Sequence, residues 1–196
     1  MQDNPVLKAI RERRSIRKYQ DKPVPKEVAE QLLASAVFSP SSMHREPWRF
    51  VVVSDKRKIR ELSDDVKRLT PIVGLAQRFV EKMQSRDDLI FYSAPLLILV
   101  TAPRGDLLSQ AVSPGNKWTQ IDCGLLAQTM FLAAHSLGLG SCYIGLAQVL
   151  NKDKELLKGL GVPADHDIIA PLIFGYPAEE KEAPQRRFND KILKWI

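Results

Sequence analysis

Arg11, Arg13, Arg14, Arg17 and Lys18 fall within eight residues, around the hydroxyl of Ser15. Arg-Arg-Ser-x-Arg offers planar guanidinium forks and one small donor, a set that suits a phosphate dianion. Cations at a helix end also complement the macrodipole and commonly stay solvated. On its own the cluster is either an anion site or a solvated helix end. The chain has no GxGxxG after a strand and no GxxxxGK[ST], and Gly138-Leu139-Gly140 follows a helical pattern instead. Any phosphate must therefore be held by arginine side chains rather than by a glycine loop.

Other chemistries find less support. Cys123 and Cys142 are the only cysteines, both in apolar stretches, and form no CxxC pair. They read as small buried residues. His44, His135 and His166 lack metal-ligand spacing and no HExxH occurs, so no metal site is expected. The net charge of +6 and pI near 9.4 suit nucleic acid, an anionic membrane surface or a phosphate-bearing ligand. Aromatic residues make up only 7%, thin for a base-stacking platform, and no nucleic-acid motif accompanies the charge. A basic, non-enzymatic nucleic-acid-binding domain is the competing reading, and nucleic acid is not expected as a partner. No apolar run spans a bilayer and the first residues lack a signal-peptide core, so a soluble, cytoplasmic protein without membrane attachment is expected.

The elements that must position the cluster follow from periodicity. Asn4-Pro5 reads as an N-cap with proline at the first helical position, and Val6, Leu7 and Ile10 give an apolar face leading into the basic run. A helix is predicted from Pro25 to about Phe38, stopping at Ser39-Pro40-Ser41-Ser42. Trp48 to Ser54 reads as a core strand, with Ser54 capping the next helix, along which Ile59, Leu62 and Val66 recur. A further amphipathic helix is expected over about Val73 to Gln84. Pro95 to Thr101 lacks polar alternation and belongs mid-sheet. Pro103 to Lys117 is a long connection and a candidate lid.

Thr119 to Leu137 is apolar almost all round, interrupted by Asp122, Gln128 and His135, and should be buried in a core or a subunit interface. Gly138 is placed to end it, and Leu139 to Gly145 returns as a glycine-framed strand whose backbone lets something flat approach. Asn151 is expected to cap a short helix, and Pro171 to put the last strand at a sheet edge or a bulge. Helices and strands mix without regular βαβ alternation, which favours α+β. No linker divides residues 1–196, so a single domain is expected, with 177–196 as a C-terminal arm whose apolar end docks, on the partner subunit if there is one.

Several segments together resemble the nitroreductase family of FMN-dependent oxidoreductases. They are Arg13-Arg14-Ser15-Ile16-Arg17-Lys18-Tyr19, Ser39-Pro40-Ser41-Ser42 running to Pro47-Trp48-Arg49-Phe50, Leu137 to Gly145, and Gly175-Tyr176-Pro177 with Arg186-Arg187. The likeness spans most of the chain and keeps the family's order.

The resemblance implies an α+β fold, a central mixed, mainly antiparallel sheet flanked by helices, in an intertwined homodimer with FMN at the subunit interface. It assigns Arg13, Arg14, Ser15 and Arg186, with Arg187 as the alternative, to the FMN phosphate, and Arg17 to the flavin pyrimidine edge. Pro40, Ser41 and Ser42 match the segment reaching the flavin from the partner, and Tyr143, Ile144 and Gly145 match the strand behind the ring. Where the family often reads Asn-x-Gln-Pro-Trp, this chain has His44-Arg45-Glu46-Pro47-Trp48, which changes the groups offered to the ring. The implied activity is NAD(P)H-driven, ping-pong reduction of nitroaromatics, quinones or similar small electron-poor acceptors, with no catalytic side chain and no metal. Same-fold alternatives are enone reduction, dehalogenation and flavin cleavage.

Overall fold

In the computed structural model of the chain, residues 4–73, 81, 90–105, 111, 118–186 and 191–194 are described. The first helix, α1 (Pro5–Glu12), begins where expected. The Asn4 side chain accepts the backbone N–H of Val6 at 2.9 Å and of Leu7 at 3.2 Å, which satisfies two of the donors a helix start leaves open. Only Ala9 is buried along it, while Val6, Leu7 and Ile10 face outward. The second helix, α2 (Lys26–Ala36), buries Ala29, Leu32 and Ala36.

Strand β1 (Arg49–Val53) leads into α3 (Lys56–Leu69), whose cap is Asp55 and not Ser54. The Asp55 carboxylate accepts from the N–H groups of Arg57 at 2.7 Å and Lys58 at 3.1 Å, and those bonds hold its pKa below the ordinary aspartate value. A depressed carboxyl stabilises the fold above its unfolded pKa and loses that contribution as pH falls through the folded value. Asp55→Ala is accordingly expected to lower the melting temperature at neutral pH, with the gap from the parent closing in strongly acidic buffer. Equal melting temperatures at neutral pH would show that the cap contributes nothing.

Strand β2 (Leu96–Pro103) is buried along all but its last residue, as its unbroken apolar sequence requires. It lies inside a four-stranded antiparallel sheet of order β1-β2-β4-β3, formed with β3 (Gly140–Tyr143) and β4 (His166–Gly175). Side chains alternate between two cores because strand periodicity is two. Leu97, Leu99 and Ile173 meet Ile59, Leu62 and Val66 of α3 on one face. Leu96, Ile98, Val100 and Leu172 meet Leu32 of α2 and Leu126 and Met130 of α4 (Trp118–Ser136) on the other. Among the described residues no helix is long and apolar enough to cross a membrane.

Of the two settings expected for Pro171, a sheet edge or a bulge, the structure has the second: β4 is an interior strand, and Val100 pairs with Ala170 while Thr101 pairs with Ile168, leaving Ile169 as the extra residue beside Pro171. The cap expected at Asn151 is corrected. Asn151 caps nothing. Its side-chain amide gives and takes hydrogen bonds with the backbone of Ile168, at 2.9 and 2.8 Å, as a strand partner would. The helix after it, α5 (Lys154–Gly159), is capped by Asp153. Finally, what approaches closely at Gly140 is the Ile16 side chain: a Cβ there would stand 2.7 Å from Ile16 Cβ.

Gly138, at φ +73°, ends α4 in the left-handed conformation that glycine adopts without strain. The helix expected over 73–84 and most of the 103–117 connection lie outside the described residues.

Candidate functional site

The basic segment is docked onto the sheet edge beyond β3. Ser15 pairs with Ser141 in a parallel bridge, and the Ile16 N–H donates to Ser141 O at 3.0 Å. From the other side it is held by residues 176–182. Gln20 N–H donates to Tyr176 O and Ala178 N–H to Lys18 O, each at 2.9 Å. The Arg17 N–H donates to Glu179 Oε1 at 2.6 Å, and Lys181 Nζ to Ser15 O at 2.7 Å. The bonds from Arg17 and Lys181 keep the Glu179 carboxyl below its ordinary pKa although its burial acts in the opposite sense. The first residues of the arm thus strap their own chain's basic segment in place.

This strap brings Arg186 opposite the cluster. Arg11, Arg13, Arg14 and Arg186, with Ser15 and Gln128 of α4, line a cavity of about 570 Å³ whose described lining includes no carboxylate. Arg13 is half-buried, its guanidinium 5.7 Å from the Phe131 ring centroid. Burial first, and then the neighbouring charges of Arg14 and Arg186, lower the Arg13 pKa. Such a site gains most from a multiply charged anion.

Arg14 has a different task. Its Nε donates to Glu182 O at 3.0 Å and its Nη1 to the carbonyls of Arg11 and Arg13, each at 2.6 Å. The side chain ties the cluster's backbone to the arm, so two of its three guanidinium nitrogens are committed to carbonyls. Arg17 lies outside that cavity's lining, its guanidinium 5.9 Å from the ring centroid of Tyr92. Arg187 lies outside the described residues.

The segment Pro40–His44 stands apart from the cavity within one chain. The Ser42 N–H and hydroxyl both donate to Asp122 Oδ1 on α4, at 2.9 and 2.8 Å, and the Ser41 hydroxyl accepts the Glu46 N–H at 3.0 Å. Met43, His44 and Glu46 adopt φ of 57°, 53° and 45°. Non-glycine residues held in that region cost about 1–3 kcal/mol each and gather at functional sites. Asp122 and Gln128 are six residues apart on α4, roughly 9 Å along its axis, so loop and cavity touch the same helix at separate places.

Tyr143 and Gly145 are exposed and Ile144 is buried. The Tyr143 hydroxyl donates to Ile169 O at 2.8 Å and accepts from Gln148 Nε2 at 3.0 Å, which fixes the ring at the end of β3.

No nucleophile stands ready among these groups. Burial, and secondarily Asp122, pushes the Cys123 thiol up to about 12, and burial also raises Cys142 despite Arg17, Ser15 and Lys181 nearby. Among the described residues no three His, Cys, Asp or Glu side chains could share a metal ion. Asp122, Gln128 and Glu179 were not singled out by sequence for the site. The signal that existed was the interruption of an apolar helix at 122 and 128.

A nitroreductase with bound FMN from Bacteroides fragilis NCTC 9343 superposes with a TM-score of 0.81 at 29% identity, covering 98% of this chain and 99% of that one. A protein of Methanothermobacter thermautotrophicus, provisionally named an NADH dehydrogenase/NAD(P)H nitroreductase, is 32% identical over 174 residues, 89% of this chain and 78% of its own. An iodotyrosine deiodinase of Haliscomenobacter hydrossis is 28% identical over 191 residues, covering 94% and 84%. Residues 10–176, from the end of α1 through the last strand, match the nitroreductase family, and with its α+β fold the chain belongs to that family.

Proposed function

We propose that this chain is an FMN-dependent oxidoreductase that uses NAD(P)H to reduce nitroaromatics, quinones or similar electron-poor acceptors. The observation that carries the reading is the cavity of about 570 Å³ lined by four arginines with no carboxylate in its described lining, a wall that suits a polyanion. An FMN phosphate fits that demand. Arg13, Arg186 and the Ser15 hydroxyl would hold it, with Arg187 available in the same stretch of arm, while Arg14 keeps the arm and the cluster together. Arg17, directed at Tyr92, would serve the ring end.

FMN held there would supply the electron transfer between NAD(P)H and the acceptor, in a ping-pong order. The protein's own contribution is binding, orientation and the exclusion of water, consistent with thiols held away from their reactive form.

A homodimer completes the site. Within one chain the Pro40–His44 loop and Tyr143–Gly145 do not join the arginine cavity, so a second copy supplies its own loop across the interface. The apolar faces left uncovered support this: Val6, Leu7 and Ile10 on α1, Ile121 and Leu125 on α4. The rest of the arm, including the fully exposed Leu193, would then pack on the partner. The setting is taken to be the cytoplasm and the whole chain one domain.

The purified protein is expected to be yellow, or to become so on adding FMN, and to bleach with NADH or NADPH in the absence of oxygen. Colourless protein that takes up no FMN overturns the reading. Bound flavin that neither nucleotide reduces overturns the reductase assignment alone.

The likeness to an iodotyrosine deiodinase favours one second reading, reductive dehalogenation. In that reaction two electrons and a proton replace iodide on the tyrosine ring. Iodide release from iodotyrosine, outpacing nitroaromatic reduction under the same reductant, would select it.

A further inference from the structure

Asp122 sits in a largely apolar helix with 1% of its surface exposed. Its Oδ1 accepts both the N–H and the hydroxyl of Ser42, 80 positions earlier in the chain. Its Oδ2 is buried and hydrogen-bonds to no described group. A buried carboxylate with one oxygen unmatched is an unfavourable feature for stability alone. The benefit lies in what Oδ1 holds.

Ser42 opens the turn in which Met43, His44 and Glu46 are left-handed. Released from Asp122, these residues would relax toward ordinary backbone regions. The tether also settles the chemistry of Ser42. A carboxylate oxygen only accepts, so both hydrogens that Ser42 can donate are spent on Asp122, and the hydroxyl oxygen has only lone pairs left to offer.

We propose that Asp122 is a positioning residue for the cofactor loop: through paired bonds to Ser42 it holds the strained turn and makes the Ser42 hydroxyl an acceptor, ready for an N–H or O–H of the flavin. The inference rests on the FMN reading, and extends it to a side chain that would act only through Ser42.

FMN titrated into apoprotein, followed by visible circular dichroism, tests it. Asp122→Ala is expected to raise the FMN dissociation constant at least about tenfold, whereas Asp122→Asn, which keeps an oxygen acceptor for Ser42, should stay within about threefold of the parent. A purely structural role predicts no such rescue tied to ligand affinity. Alanine-variant affinity within about twofold of the parent, or an asparagine variant as weak as the alanine one, overturns the proposal.

Should Asp122→Ala fail to fold, hydrogen exchange in the parent apoprotein decides instead. The Ser42 amide must be protected relative to its free-peptide rate. An unprotected Ser42 amide overturns the proposal without any variant. A parent that takes up no FMN overturns the flavin reading itself; failure confined to Asp122 is recognised by parent and alanine variant binding FMN equally well.

Discussion

Arg13→Ala combined with Arg186→Ala is expected to weaken FMN binding by about 100-fold or more. Each charge-assisted hydrogen bond is commonly worth about 1.5–3 kcal/mol and each 1.4 kcal/mol is tenfold, so losing one contact at each arginine reaches that figure. The two face one cavity and share a ligand, so their effects will not add strictly. Added salt should weaken FMN binding to the parent and affect the double variant less, because guanidinium attraction is the screened component. The apoprotein should not be destabilised in proportion, since Arg13 is a cation held against burial first and against the charges of Arg14 and Arg186 second. Arg13 also lies against Phe131, so a small loss of packing accompanies its removal. An unchanged FMN dissociation constant in the double variant would place the phosphate elsewhere.

The second large effect is on stability and is reached from the sheet edge. Gly140→Ala places a methyl group 2.7 Å from Ile16 Cβ and within 2.9 Å of both of its γ carbons. Those atoms belong to the stiff, branched root of a buried side chain, which cannot swing aside as the tip of a lysine would. Overpacking of this kind costs about 1–3 kcal/mol, which for a chain of this size lowers the melting temperature by roughly 2–12 °C. Because Ile16 follows Ser15 and its N–H donates to Ser141, the displacement is transmitted to the basic segment, and FMN affinity should fall with stability. A variant that melts with the parent and binds FMN equally well would mean that the segment moves freely on the sheet.

What was legible in the sequence was mostly local. Asn4-Pro5 and Gly138 signal helix ends through their own hydrogen-bonding and conformational preferences, and the apolar run of β2 states that both its faces are covered. The arginine cluster was legible as charge, yet its division of labour was not. Whether Arg14 faces a ligand or ties down the carbonyls of Arg11, Arg13 and Glu182 depends on a segment 168 positions away. Asp122 read as a break in an apolar pattern because its partner, Ser42, is 80 positions away in sequence. Asn151 misled for a related reason, and Pro171 left an edge and a bulge equally open: the interior place of β4 follows from strand order, and strand order is not encoded in any one strand's periodicity.

The strap has a consequence for when the site comes into being. Residues 14–20 are laid down early in synthesis, yet they are held by residues 176–182, and Arg186 closes the cavity from still further along. Contacts across so long a loop form late, after the closure entropy of nearly the whole chain has been met. A nascent chain with its sheet already assembled would therefore still lack its polyanion site. Assembly of the site therefore waits on the arm, and cutting the chain before Arg186 would remove one wall of the cavity while leaving the residues of the sheet and both cores in place.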